Sequence, residues 1–509
     1  MKIIKNHQSF TVTKNGGKMA GKFNETKKRR GLDTVTFEGA PAYEKTLDVD
    51  WLNNLFSNFV EDGYYESAED RLARYVDTTK KMIDKYGPEF VARAAFFARN
   101  ELGMRSITHV TAAILNAYSF DRKRNFYANL MARPDDVSEV FSILDSWGQK
   151  RSHALVRGAS DYVSRLSAYQ IDKYSMKTKN WSMLDVINVT HPKSEVVDRF
   201  YNGTLQKAGT WEQVISAAKT TDERNAAWQD LVENHDLGYM ALIRNLNNIL
   251  DSGVDTGWII DNLVPQLTDR EKILRSKVFP YRIYVAYKNL AVNNIEVVSA
   301  LAKAFELSCD NAPVFDGDSL VILDVSGSMC SPISNKSRVE IKEACACYAA
   351  ILYMRGNMDF VKFGNYAKKC EYNKLDNVFD IIARMCYNDE LGCGTNISSA
   401  LDQIDRHYDR IFIFSDMQVM DSSCSDWWWV DPKDRRDQVS VLHKCFEKFG
   451  KSRVYSFDLG NYEVSPFNIG AGDIMYLSAL SEKVFGLLKL VEDNVSIIDY
   501  INDAYRDCF

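Results

Sequence analysis

Between about Trp51 and Asp310 the apolar residues of this chain recur three and four positions apart, which predicts one amphipathic helix after another. In Pro88–Asn100, Phe90, Ala94 and Phe97 share a face, and Pro88 suits a first turn. Ile107, Val110, Ile114 and Ala117 repeat the pattern, with Ser106 placed to cap it. Similar stretches cover Val137–Trp147, Val163–Lys173, Trp211–Ala218, Asn225–Glu233, Met240–Leu250 and Val297–Phe305. Short helices with short polar connections predict an α-solenoid, each helix pair burying its apolar face on the next. No strict repeat length is present. That favours α-helical HEAT-like repeats over a regular tetratricopeptide array, with a plain helical bundle as the alternative.

The pattern changes at the linker-like stretch Asn311–Asp318. Short apolar runs at Leu320–Leu323, Phe360–Phe363, Ile411–Phe414 and Val454–Phe457 predict strands. Helices are predicted between them, at Arg338–Met354, Val378–Met385, Ile397–Ile404 and Gln438–Phe449. Strands alternating with helices indicate an α/β, doubly wound parallel sheet. The chain then turns helical again, through Tyr476–Ala504. The reading divides the protein into an arm (1–45), a helical repeat domain (46–312), an α/β domain (316–465) and a C-terminal helical segment (466–509) that packs back on the repeats.

Composition adds limits. With 46% hydrophobic and 26% charged residues, the 509-residue chain reads as globular and multidomain. No apolar run approaches the ~20 residues of a membrane-spanning helix, and the lysine-rich N-terminus lacks the apolar centre of a signal peptide. A cytoplasmic protein is expected. All ten cysteines lie between Cys309 and Cys508 without a C-x-x-C pair, so neither a chain-wide disulfide framework nor a zinc site is indicated.

The net charge of −6 is unevenly spread: +3 over residues 1–315 and −9 over 316–509. The first thirty residues alone carry +8, from nine basic residues against Glu25, so residues 31–315 sum to −5. Such an arm suits phosphate neutralisation, and a solvated tail is the plainer alternative.

The sequence Asp324-Val-Ser326-Gly-Ser328 follows the first strand of the α/β half directly, where open sheets collect their ligands. A carboxylate and two hydroxyls at alternate positions can converge on a hard cation. Thr395, in the glycine-flanked loop Gly392-Cys-Gly-Thr-Asn396, adds a hydroxyl, and Asp416 puts a second carboxylate after a strand. In order and spacing Asp324, Ser326, Ser328, Thr395 and Asp416 resemble the von Willebrand A metal-ion-dependent adhesion site. The resemblance implies bound Mg2+ with a coordination position open to a partner's carboxylate or to water. Trp427, Trp428 and Trp429 follow closely. They are candidates for contact with a partner or with bases, or simply for packing against the helical half.

Four segments of the helical half carry a further resemblance: Phe90–Asn100 with Met104-Arg-Ser106, Trp181-Ser-Met-Leu-Asp-Val-Ile-Asn-Val-Thr-His-Pro-Lys193, Ala241-Leu-Ile-Arg-Asn-Leu-Asn-Asn248, and Phe279-Pro-Tyr-Arg-Ile-Tyr-Val-Ala-Tyr-Lys288. In this order, ahead of the metal motif, they resemble the Ro autoantigen (TROVE-domain) family. The resemblance implies a closed ring of helical repeats whose basic hole admits single-stranded 3′ ends of misfolded non-coding RNA. It also implies structured Y-type RNA on the outer surface and a C-terminal segment that closes the ring. Family RNA contacts carry over to His191 and, within a residue or so, to Lys173, Lys177 and Lys179. Arg93, Arg99, Arg105, Arg122, Lys123 and Arg124 are additional basic candidates, or else partners of nearby acids.

Two function classes follow. One is a monomeric RNA-binding protein of a ribonucleoprotein, with the α/β domain docking a protein such as a nuclease. The other is a metal-dependent protein–protein adaptor without RNA. An enzyme is not expected, since no phosphate-binding loop, nucleophile pair or two-metal carboxylate cluster is present.

Overall fold

The computed structural model describes residues 34–35, 41–56, 67–175, 180–207, 209–292, 294–333, 337–418, 438–459, 464–465, 474–477, 484–485, 488, 492 and 497–509. The helical half opens with α1 (Leu47–Phe56), α2 (Ala68–Tyr86), α3 (Pro88–Asn100), α4 (Ser106–Leu115), α5 (Lys123–Leu130), α6 (Pro134–Ser146) and α7 (His153–Ser164). It continues through α8 (Ala168–Lys173), α9 (Met183–Thr190), α10 (Glu195–Tyr201), α11 (Trp211–Ala217), α12 (Thr221–Glu233), α13 (Tyr239–Arg244) and α14 (Leu246–Leu250). The short α15 (Thr256–Trp258) and α16 (Val264–Leu267) flank a π-turn, and α17 (Arg270–Ser276), α18 (Pro280–Lys288) and α19 (Ile295–Ser308) complete it.

Local chemistry sets many of these boundaries. Ser67, Ser152, Ser167, Ser182, Thr210 and Thr220 each accept a first-turn amide at a helix start. The expected faces are buried: Phe90, Ala94 and Phe97 are at most 3% exposed. Three expectations are corrected. Val163–Lys173 is two helices, because Ser167 caps a new start with Gln170. Met240–Leu250 breaks at Asn245. Ser106 begins α4 rather than capping it, and Ala117 lies exposed beyond its end.

The α/β half is a six-stranded sheet of β3 (Asp318–Asp324), β4 (Asn357–Phe363), β5 (Ala367–Cys370), β6 (Arg410–Ser415), β7 (Arg453–Asp458) and β9 (Ile474–Leu477). Its order is β5-β4-β3-β6-β7-β9, all parallel except the β4–β5 hairpin. Side chains alternate across it, as strand geometry requires. Val321, Leu323, Phe412, Phe414 and Phe457 face one core with α20 (Ile341–Arg355) and α21 (Val378–Cys386). Leu320, Ile322, Ile411 and Ile413 face a second core with α22 (Ile397–Leu401) and α23 (Gln438–Phe449).

The first of these cores is continuous with that of the helical half. Tyr287 on α18 stacks on Phe379 at 4.3 Å, and Lys288 pairs with Glu343 at 2.7 Å. A last helix, α24 (Ile497–Ala504), returns to the first helices: Tyr500 and Tyr505 pack edge-on against Phe97, and Phe509 against Phe126.

Both outer boundaries of the sequence reading shift. The sheet continues past residue 465, since Ile474–Leu477 pairs in register with β7; a four-residue apolar run does not by its period distinguish a strand from a helix. The segment 1–45 is not wholly a free arm. Strands β1 (Thr34–Val35) and β2 (Pro41–Glu44) form a small antiparallel sheet with β8 (Val464–Ser465), and Lys45 is buried against Asp458 at 2.6 Å. No described helix is long and apolar enough to cross a membrane.

Candidate functional site

Two adjacent parallel strands, β3 and β6, end at the switch point where the chain changes sides of the sheet, and the ligand-type residues gather there. Three loops are knitted by backbone bonds: Gly327 N–H to Cys393 O, Val325 N–H to Phe363 O, and Asn396 N–H to Gly364 O, each 2.9 Å. Asn388 ties two of them further, its amide donating to Val325 O and Gly392 O at 3.0 and 2.9 Å. Gly364 is required by close approach, since a Cβ there would lie 2.3 Å from Gly392 O.

Asp324, Ser326, Thr395 and Asp416 are buried, and Ser328 is half-buried. Asp324 Oδ1 accepts the Ser326 amide at 2.8 Å, and its Oδ2 accepts the Ser415 hydroxyl. Ser326 Oγ and Ser328 Oγ are 3.4 Å apart, and Asp416 Oδ1 accepts the Gln418 amide at 3.2 Å. No basic side chain pairs with either carboxylate among the described residues. Burial therefore pushes both carboxyls well above the ordinary range, and the Asp324 charge raises Asp416 further.

No group of three or more His, Cys, Asp or Glu side chains is arranged for a metal among the described residues, so a cation at this point would have to take hydroxyl oxygens as well. Two unneutralised buried carboxylates beside hydroxyls fit a hard divalent cation. Ser415 was overlooked as a candidate, although it stands beside Asp416 in the sequence. Lys45 and its partner Asp458, which lies opposite Ser415 in the strand register, had no sequence signal because 413 residues separate them.

The expected RNA contacts are treated differently. Lys173 pairs with Glu212 at 3.1 Å and donates to Tyr169 Oη at 3.1 Å. His191 is exposed in the left-handed region (φ 49°), ending α9 through its backbone N–H to Ile187 O at 2.9 Å. The residues around it have structural work. Trp181 Nε1 donates to Asp145 at 2.7 Å with its ring under Arg151, Asp185 closes a capping box with Ser182, and Pro192 is buried. Lys177, Lys179, Trp427, Trp428 and Trp429 lie outside the described residues.

Most additional basic candidates are consumed by acids or carbonyls. Arg99 and Arg105 bind Asp136 at 2.6 and 3.0 Å, Arg124 binds Asp161 at 2.6 Å, and Arg122 reaches Asp507 at 3.4 Å. Lys123 donates to the carbonyls of Asn116 and Tyr118, and Arg93 reaches Asn502 and Glu89, at 3.5 and 3.9 Å. These contacts tie neighbouring elements together.

A family model described as the TROVE domain matches residues 203–373, spanning the junction of the two halves. A solved structure, the RO (RSR) protein of Deinococcus radiodurans, superposes with a TM-score of 0.60 over 86% of this chain and 98% of its own, at 16% identity, a likeness of fold. Residues 203–373 are thus similar to a TROVE domain, and the chain shares the fold of an Ro protein. Among curated relatives in that circle, telomerase protein component 1 of Rattus norvegicus is 34% identical over 87 residues, 17% of this chain and 3% of that protein. The protein named RNA-binding protein RO60 in Caenorhabditis elegans is 26% identical over 191 residues, 35% of this chain and 29% of that protein. The matches thus span only a small part of these relatives' lengths.

Proposed function

We propose that this protein captures single-stranded 3′ ends of non-coding or misfolded RNA in a ribonucleoprotein, and that its α/β unit is a von Willebrand A-type domain whose metal docks a protein partner. One observation carries the RNA reading: the TROVE match lies in a chain that is also similar to a protein named for RNA binding. Under this reading the helical half is a HEAT-like repeat ring, with α24 against α3 as its closure. The exposed ring of His191 offers a base-stacking or hydrogen-bonding group, and Lys173 a phosphate contact. Structured Y-type RNA would bind the outer surface.

Asp324, Ser326, Ser328, Thr395 and Asp416 would hold a divalent cation, Mg2+ in the first instance. The two buried carboxylates without a basic partner support this. Bound there, the cation would neutralise both charges and offer an open position to a carboxylate of the partner, for example a nuclease.

The test compares RNAs with single-stranded 3′ tails and blunt duplexes at two salt concentrations, alongside the Lys173→Ala/Lys177→Ala/His191→Ala variant. Tail-dependent, salt-sensitive binding lost in the variant is expected. A folded, Mg2+-loaded protein that binds no RNA would leave the second reading, a metal-dependent adaptor. That alternative is favoured by the ion pairs that consume Arg99, Arg105 and Arg124.

A further inference from the structure

The helical half contains a groove of about 660 Å³ between α13–α14 and α17–α18, and neither the candidate metal ligands nor Lys173 and His191 line it. Its lining includes Arg244, Lys277 and Arg282 and contains no Asp or Glu. All three basic side chains are exposed, and none has a carboxylate partner among the described residues. What sets the groove apart is that three such cations converge on one acid-free lining, although residues 31–315 carry a net −5.

Lys277 adds a second observation. It closes α17 in the left-handed region (φ 53°), where glycine or asparagine is the usual choice. A long cationic side chain kept at a backbone position that disfavours it points to a use for the charge. Between the cations the floor is apolar, built from Ile243, Phe279 and Val285. The groove thus offers positive charge at its rim and an apolar surface within, the combination that single-stranded nucleic acid uses for phosphates and base faces. Its volume is that of a small-ligand site, large enough for a few unpaired nucleotides and too small for a duplex.

We propose that this groove binds the phosphodiester backbone of single-stranded RNA, with Arg244, Lys277 and Arg282 contacting phosphates. The proposal rests on the RNA-binding function above and adds a contact site distinct from Lys173 and His191. Arg244 and Arg282 lie within two of the family-like segments, Ala241–Asn248 and Phe279–Lys288, so those segments would serve recognition as well as packing.

The experiment titrates fluorescein-labelled oligouridine with the full chain at about 50 and 200 mM salt. Wild type is compared with the triple variant Arg244→Gln/Lys277→Gln/Arg282→Gln, with Arg282→Gln and Arg282→Lys, and with Lys173→Ala/His191→Ala. Thermal midpoints confirm folding, and Arg282→Gln removes one exposed side chain should the triple variant prove unstable. Removing three phosphate contacts should flatten the slope of log K against log salt by about 2, at ~0.7 per contact on a single strand, and weaken binding about ten-fold at low salt. Arg282→Lys, which keeps the charge, should retain the wild-type slope.

Wild-type affinity and slope in the folded triple variant, with RNA binding intact in wild type, would overturn the groove and leave the RNA function standing. No RNA binding by wild type would overturn both, as would capture of an acidic peptide in place of RNA. Loss in the triple variant with full binding by Lys173→Ala/His191→Ala would establish the groove and remove the other contacts.

Discussion

The two halves of the molecule bury aspartates in opposite ways. In the helical half, Asp136 on α6 is fully enclosed and fully answered. It accepts from Arg99, Arg105 and His109 at 2.6, 3.0 and 3.0 Å and from the amides of Ala132 and Arg133 at 3.0 and 2.9 Å. Burial alone would raise its carboxyl, but hydrogen bonding to His109 and the charges of His109 and Arg99 hold it far below the ordinary range. In the α/β half, Asp324 and Asp416 are equally enclosed but meet only hydroxyls and amides, and burial drives them up. A buried carboxylate with its own cations is structural. Two left without them are where the cation proposed above would bind.

The strongest way to break this contrast is Asp136→Ala. It strands the buried guanidinium of Arg99 and should cost about 3–5 kcal/mol in urea unfolding. A cost within about 0.5 kcal/mol, that of an ordinary surface change, would mean Asp136 is not the tie described here. Its depressed carboxyl also makes its contribution present at neutral pH and lost as pH falls deep into acid.

Metal comes next in size. Mg2+ at a hundred times its dissociation constant should raise wild-type stability by about 2.7 kcal/mol, and chelation should remove the gain. Asp324→Asn should abolish that response. Metal-free stability should behave oppositely to the Asp136 contribution. Raised carboxyls stabilise the fold fully in acid, below their unfolded range, and that contribution fades as pH rises toward neutrality. The Mg2+ gain should therefore grow over the same interval, measured as the difference in thermal midpoint with and without metal. A pH-independent gain would locate the cation elsewhere.

Smaller effects sharpen the distinction at the expected RNA contacts. His191→Gly relieves a left-handed backbone and should gain about 1 kcal/mol of stability while weakening RNA binding. A loss of stability would show the ring to be a packing element. Lys173→Ala removes a half-buried pair and should cost no more than about 1 kcal/mol of stability, so a loss of RNA affinity in the folded variant would be read as direct.

Much of this architecture was legible in the chain. The helix faces around Phe90 and Phe97, the strands at Leu320, Phe360, Ile411 and Val454, and the order of Asp324, Ser326, Ser328, Thr395 and Asp416 all come from short-range periodicity or motif spacing. Misread were Ile474–Leu477, too short to declare a period, and Val163–Lys173, where one serine outweighed an otherwise continuous pattern.

By itself the sequence determined most of the helix and strand segments, because amphipathic period and capping chemistry act within a few residues. It also marked the candidates to share a cation, because Asp324, Ser326, Ser328 and Asp416 follow strand ends and Thr395 sits in a glycine-flanked loop ahead of a helix. Only the tertiary structure decided that Arg99, Arg105 and Arg124 are spent on acids while Arg244, Lys277 and Arg282 are not. It alone decided that Lys45 closes on Asp458 across 413 residues. Whether a charge is paired depends on what lies across the fold, and net charge carries no record of that distance.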